Sequence, residues 1–232
     1  MATQDQIVAL WGQSRTFRDW PQGVVPVPQP IQGTAFFPGG HGLLLDGTGK
    51  TPTTMVVGQD FNTMATYEKA RQSGSEFDSS TTWRNIRIVF PQLGLALREC
   101  FFTNFYMGLR EHGPETGRFP GARDPAFVQC CTRFFESQIE VIKPRLILTL
   151  GLAPLQAIAK EIFHLPAPKT LAACDGIYQG LPAAHGSVSL VALTHPSLYF
   201  ANIRRRRYLG HQGLAAERAM IQQAESRSGS SL

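Results

Sequence analysis

The sequence is notable first for what it is short of. No apolar run in its 232 residues approaches the length needed to cross a bilayer, which excludes a helical membrane span. Its four cysteines, Cys100, Cys130, Cys131 and Cys174, include no Cys-x-x-Cys pair. A zinc or iron–sulfur centre is therefore not expected, and the thiols read as buried groups in a reducing cytosol. The opening residues, MATQDQIVALWGQ, place Asp5 early and have no basic segment leading into an apolar one, so no signal peptide is expected. A phosphate-binding loop is missing too. Gly47-Thr48-Gly49-Lys50-Thr51 tempts that reading, but Leu44 stands where the motif needs its first glycine, and an apolar run follows where one should precede.

What is present describes a globular chain with a sizeable core, 43% hydrophobic and 17% charged. Twenty-two Lys and Arg against 17 Asp and Glu leave a net charge of +5, which permits a polyanionic partner without requiring one.

Apolar runs and turn signals alternate along the chain. Residues 1–50 read as an N-terminal extension packed on the domain, with a short helix around Gln4 to Trp11, a proline-rich connection from Pro21 to Pro30, and a turn at Phe36-Phe37-Pro38-Gly39-Gly40. Residues 51–226 read as the main domain, and 227–232 as a frayed tail. Within the domain, strands are predicted at Met55–Val57, Cys100–Thr103, Arg145–Leu150 and Val188–Leu193. Helices are predicted from Trp83 to about Phe90, capped by Thr81 or Thr82, from Asp124-Pro125 to Lys143, from about Pro154 to Phe163, and around Gly213 to Ala224. Strand and helix alternate four times. The expected fold is therefore α/β, a three-layer αβα sandwich around a central four-stranded, mostly parallel sheet.

In such sheets ligands sit beyond the carboxyl ends of the strands. Three of those ends carry polar chemistry: Gly58-Gln59-Asp60-Phe61-Asn62 after the first, Asn104 closing the second, and Thr194-His195-Pro196-Ser197 after the fourth. An acid, an amide and an imidazole converging on one crevice make a candidate active site. The plainer reading of Asp60 is a cap on the next helix.

VVGQD at 56–60, FFTN at 101–104 and THPS at 194–197, in this order and each closing a predicted strand, resemble the uracil-DNA glycosylase superfamily from about residue 54 to 200. The resemblance implies a three-layer fold, no cofactor, no metal, and DNA, duplex or single-stranded, as partner. It implies a base flipped out of the stack, since chemistry on a base requires its extrusion. Asp60 and His195 would be catalytic: Asp60 orients the attacking water and stabilises a cationic sugar, and His195 donates a hydrogen bond to the leaving base. Asn104 would read the base edge, with Gln59, Phe61 and Asn62 around it. Phe77 would stack on the base, with Phe61 and Trp83 as rivals. Ser79, Ser80 and Ser197 would hold phosphates. Leu198 or Tyr199 would plug the gap left in the duplex. The run Arg204, Arg205, Arg206 and Arg207 suits phosphate contacts whose affinity falls with salt.

Family members of the aspartate type follow Gln-Asp with Pro-Tyr, whose tyrosine excludes pyrimidines substituted at ring position 5. Phe61-Asn62 stands here instead, which puts strict uracil specificity in doubt. The expected function is a monofunctional DNA glycosylase, a cytoplasmic, nucleoid-associated monomer that releases uracil or a 5-substituted pyrimidine and leaves an abasic site. Its role would be base-excision repair or defence against modified phage DNA. No lysine at the strand ends offers a Schiff base. The alternatives are a catalytically inactive DNA-binding module of the same fold and a small-molecule enzyme of doubly wound α/β fold.

Overall fold

Every second residue of a strand faces the same side, so an apolar run without alternation buries both faces of its sheet. The computed structural model, which describes residues 4–14, 16–28, 52–74, 80–171 and 176–228, shows this pattern on four strands. In chain order its elements are α1 (Gln4–Ser14), β1 (Val24–Val25), β2 (Thr54–Gly58), α2 (Met64–Ser73), α3 (Thr81–Leu93), β3 (Cys100–Asn104), β4 (Leu109–Arg110), α4 (Pro125–Ile142), β5 (Leu146–Leu150), α5 (Leu152–Glu161), β6 (Ile177–Ala183), β7 (Gly186–Leu193), α6 (Tyr199–Asn202), β8 (Arg207–Tyr208), β9 (His211–Gln212) and α7 (Leu214–Ser228). Short 3₁₀ turns lie at Leu97–Glu99, Pro120–Arg123, Pro196–Leu198 and Ile203–Arg205. The turn expected at 36–40 and the glycine-rich run at 47–51 lie outside the described residues.

The central sheet runs β3-β2-β5-β7-β6. Its first four strands are parallel. Met55, Val57, Phe101, Ile147, Leu190 and Ala192 point into one apolar cluster, shared with Phe127, Cys131, Phe135 and Ile139 of α4 and Leu155 and Ile158 of α5. Val56, Phe102, Leu148, Leu150, Val191 and Leu193 point into the other, shared with Trp83, Ile86 and Phe90 of α3 and Met220, Ile221 and Ala224 of α7. The strict alternation makes three layers unavoidable, because neither face of the sheet can be left to water.

The sheet has a fifth strand where four were expected. β6 pairs antiparallel with β7 at the edge, with a register shift between Tyr178 and Leu181. It contains Gly180 and Pro182, residues that disfavour an inner strand and are tolerated at an edge. Helix α2 was likewise not expected. Thr63 caps it by accepting from the Thr66 N–H, and Gly74, at φ 72°, ends it. Thr63 thus does the capping that the plainer reading gave to Asp60.

Helix α4 follows its sequence signals. Asp124 accepts the Phe127 N–H at 2.9 Å, Pro125 occupies the first helical position, and Lys143 closes the helix in a left-handed conformation just before Pro144. Asp124→Ala should lower stability by about 1 kcal/mol in urea unfolding with an unchanged m value. A loss below a few tenths of a kcal/mol would show that the cap carries no weight.

Candidate active site

The sheet register brings the three polar segments to one edge. Gly58 lies beside Asn104, Val57 beside Thr149, and Leu150 beside Leu193. The chain segments leading to Asp60, Asn104 and His195 therefore leave the sheet on the same side. β3 and β7 are three strand spacings apart, about 14 Å at ~4.8 Å each. The end of β2, with Asp60, and Gly151 at the end of β5 lie between them. A nucleoside fits a span of that size.

The segment that carries Asp60 does not move freely. It runs on beside the chain after β3, through hydrogen bonds from Phe105 N–H to the Gly58 carbonyl, Tyr106 N–H to Gln59, Phe61 N–H to Gly108, and Arg110 N–H to Asn62. This brings Arg110 to Asp60. The Arg110 Nη2 donates to Asp60 Oδ2 at 2.8 Å and Nε to Oδ1 at 3.3 Å, and both side chains are buried. Asp60 Oδ1 also accepts the Asn62 N–H at 2.8 Å. A carboxylate has about four acceptor positions. Three are filled, and the remaining one is on Oδ2. Burial raises the Asp60 carboxyl above its ordinary value, and the bonds from Arg110 and the Asn62 N–H oppose that rise.

Arg110 is itself enclosed. Its guanidinium donates to the carbonyls of Gly117 at 2.9 Å, Arg118 at 3.3 Å, Thr116 at 3.4 Å and Pro114 at 3.5 Å, and lies 5.7 Å from the Phe119 ring centre. The irregular 113–119 loop is thus wound around one cation. Sequence reasoning missed Arg110, because its partner is 50 residues away.

His195 is fixed from a different direction. Its Nδ1 lies 3.2 Å from the Ser197 backbone N and 2.8 Å from the Ser197 Oγ. A backbone N–H can only donate, so Nδ1 accepts, and the neutral ring carries its proton on Nε2. Burial lowers the imidazole pKa below its ordinary value, favouring that neutral form. Gly151 backs the ring. Its φ is 93°, and a Cβ there would lie 3.2 Å from the His195 Cβ. The Asn85 Nδ2, from α3, donates to the Pro196 carbonyl at 2.7 Å and pins the turn that follows.

Behind this loop lies a second buried ion pair. Glu217 on α7 accepts the Thr194 N–H at 2.6 Å, and the Arg206 Nε is 3.5 Å from the same carboxylate oxygen. Arg206 also donates to the Leu171 carbonyl at 3.0 Å and the Ala192 carbonyl at 2.9 Å. Burial pushes the Glu217 carboxyl up to about 6, against the pull of the Thr194 N–H and Arg206.

Several expectations need correction. Arg206 is buried and faces inward, so the phosphate role expected of it cannot hold; Arg204, Arg205 and Arg207 are exposed. Tyr199 is buried in the core and is not the plug, whereas Leu198, 54% exposed, and Phe200, 64% exposed, project outward. Trp83 packs 4.8 Å from Phe102 inside the core and offers no face to a base. Phe61 also packs in the core.

The other expected residues stand as follows. Asn104 is buried, and among the described residues none hydrogen-bonds its carboxamide. Gln59 and Asn62 are half-buried. Asn62 has φ 70°, and its Oδ1 accepts the Thr63 N–H at 2.8 Å. Ser80 precedes α3 and makes no side-chain capping bond. Phe77, Ser79 and Cys174 lie outside the described residues. Among the described residues no group of three or more His, Cys, Asp or Glu could hold a metal ion, and no helix is long and apolar enough to cross a membrane.

A family model for the uracil DNA glycosylase superfamily matches residues 45–212, and the chain belongs to that superfamily. No curated protein matches the sequence. Membership supports hydrolytic, DNA glycosylase-like chemistry on a DNA substrate.

The Glu217 carboxyl is raised in the fold, so the protonated form is favoured there. Its contribution to stability is present below pH ~4.5 and is lost as pH rises to about 6, worth about 2 kcal/mol for a shift of that size. Glu217→Gln should remove this slope. Urea unfolding at pH 4.5 and pH 7 should show a smaller difference for the variant than for the parent, and an identical difference would refute the assignment.

Proposed function

We propose that this protein is a monofunctional DNA glycosylase acting on a flipped pyrimidine. The carrying observation is the fixed His195 tautomer, whose Nε2 proton belongs to the same sheet edge as Asp60 and Asn104. As the bond between C1′ of the sugar and the base nitrogen breaks, its electron pair moves onto the base. The His195 Nε2–H donates to the base carbonyl oxygen where that charge collects. A water on the free acceptor position of Asp60 Oδ2 adds its oxygen to C1′, and its proton passes to solvent or to the released base. Asp60 shares its charge with Arg110, so ordering this water is a larger part of its role than the field it exerts on a cationic sugar. The Asn104 carboxamide offers a donor and an acceptor to the base edge.

The base is uracil or a 5-substituted pyrimidine. Asn62 supports the second. Its Oδ1 is taken by the Thr63 N–H, which leaves Nδ2 as a donor suited to an oxygen-bearing substituent. The corresponding roles are base-excision repair and attack on modified foreign DNA, carried out by a monomer associated with cytoplasmic DNA. The Asp60–Arg110 pair favours one rival reading, a DNA-binding module of this fold in which Asp60 serves structure alone.

The test is mass analysis of bases released from oligonucleotides carrying uracil, thymine, 5-methyl- and 5-hydroxymethyl-pyrimidines. His195→Ala should slow release by about 10²–10³-fold, the usual worth of one such donor. Asp60→Asn should abolish most release at a temperature where circular dichroism shows it folded. DNA binding without release of any base, by the parent chain, would establish the rival reading.

A further inference from the structure

Between Pro196 and Gly213 the chain carries no acidic residue and four consecutive arginines. Of the four large hydrophobic side chains exposed among the described residues, three lie in this stretch: Leu198, Phe200 and Leu209. The first two flank the turn after His195. Leu209 belongs to a different element.

It sits at the tip of the β8–β9 hairpin, where Arg207 pairs with Gln212 and Tyr208 with His211. The two turn residues, Leu209 and Gly210, have φ 45° and 81°. Such a turn prefers asparagine or glycine at its first position, because a side chain there crowds the backbone. Leu209 is nevertheless leucine, strained and 72% exposed. Neither local conformation nor burial accounts for it, and strain held at a surface tip is a mark of function.

The hairpin is built to hold that tip firmly. Tyr208 OH donates to the Gln223 Oε1 of α7 at 2.6 Å, Gln212 Nε2 donates to the Arg204 carbonyl at 2.9 Å, and Gly213 N–H donates to the Arg206 carbonyl at 3.0 Å. The carbonyls of Arg204 and Arg206 also accept from the Arg207 guanidinium. An apolar point on a rigid base, beside exposed Arg204, Arg205 and Arg207, matches a partner with anionic rails and an apolar interior.

We propose that Leu209 is a second duplex-probing side chain, separate from the turn after His195, which presses into the base stack or groove of double-stranded DNA while Arg204, Arg205 and Arg207 hold the adjoining phosphates. The proposal rests on DNA as the partner, and it requires paired strands.

The experiment measures anisotropy of the full chain with a labelled duplex, the matching single strand, and vesicles containing anionic lipid, at several salt concentrations. Leu209→Gly removes the side chain and also relieves the strain. It should keep or raise the unfolding midpoint, weaken duplex affinity about tenfold, the scale of one lost apolar contact, and leave single-strand affinity and the salt slope unchanged. Arg205→Gln, which leaves the hairpin's own hydrogen bonds in place, should weaken binding and flatten the salt slope. Parental duplex affinity in Leu209→Gly would overturn the proposal, as would an equal loss on single strands. So would parental binding to the vesicles tighter than to the duplex and lost on the same substitution. Because the readout is binding, a chain that releases no base can still show the duplex-specific loss, and an active glycosylase can still fail to show it.

Discussion

The buried Asp60–Arg110 pair is the constraint on which the candidate site rests. Removing two charges from water is costly, and the cost is recovered only when the remaining donors and acceptors are satisfied. Here they are. Arg110 gives its other protons to the carbonyls of the 113–119 loop, and Asp60 takes the Asn62 N–H. The pair thereby fixes the loop after β2, the chain after β3 and the following irregular loop as one unit. A lone carboxylate at this depth would take up a proton; with Arg110 against it, ionisation has a partner.

The imidazole side of the crevice also rests on a buried ion pair, less completely satisfied, since Arg206 Nε and Glu217 Oε2 have no hydrogen-bond partner among the described residues. Glu217 and Arg206, buried beneath Thr194, hold the end of β7 as Arg110 holds the loop after β2. Two elements of opposite location, a loop strand and the last helix, each supply one member of a buried ion pair to one wall of the site. Between them stands a strand end with no side chain at all. The arrangement keeps the acid and the imidazole from drifting relative to one another, and fixed geometry of that kind is what electrostatic catalysis demands.

The parts of the fold legible in the sequence were those where burial leaves a continuous signal. β2, β3, β5 and β7 are covered on both faces, so their apolar runs stand out. Helix α4 announces itself through Asp124-Pro125 and its apolar spacing. β6 was hidden by Gly180 and Pro182, which are acceptable only because it is an edge. Helix α2 was hidden because it buries little beyond Tyr67 and Ala70. In the site, the polar strand ends were visible, but their supports were not. Nothing in the run of four arginines marks Arg206 as the one that faces inward, and nothing local separates buried Tyr199 from exposed Leu198. Both distinctions follow from which side of a short turn meets α7 and the core, a long-range fact.

Gly151 carries a wider implication. With φ at 93° and the His195 Cβ within 3.2 Å of where its own side chain would begin, this position has no freedom to accept another residue. The middle of the crevice floor is therefore closed to adaptation. Change along this edge of the sheet is left to the flanks, where Gln59, Asn62 and Asn104 still present side chains that can be exchanged.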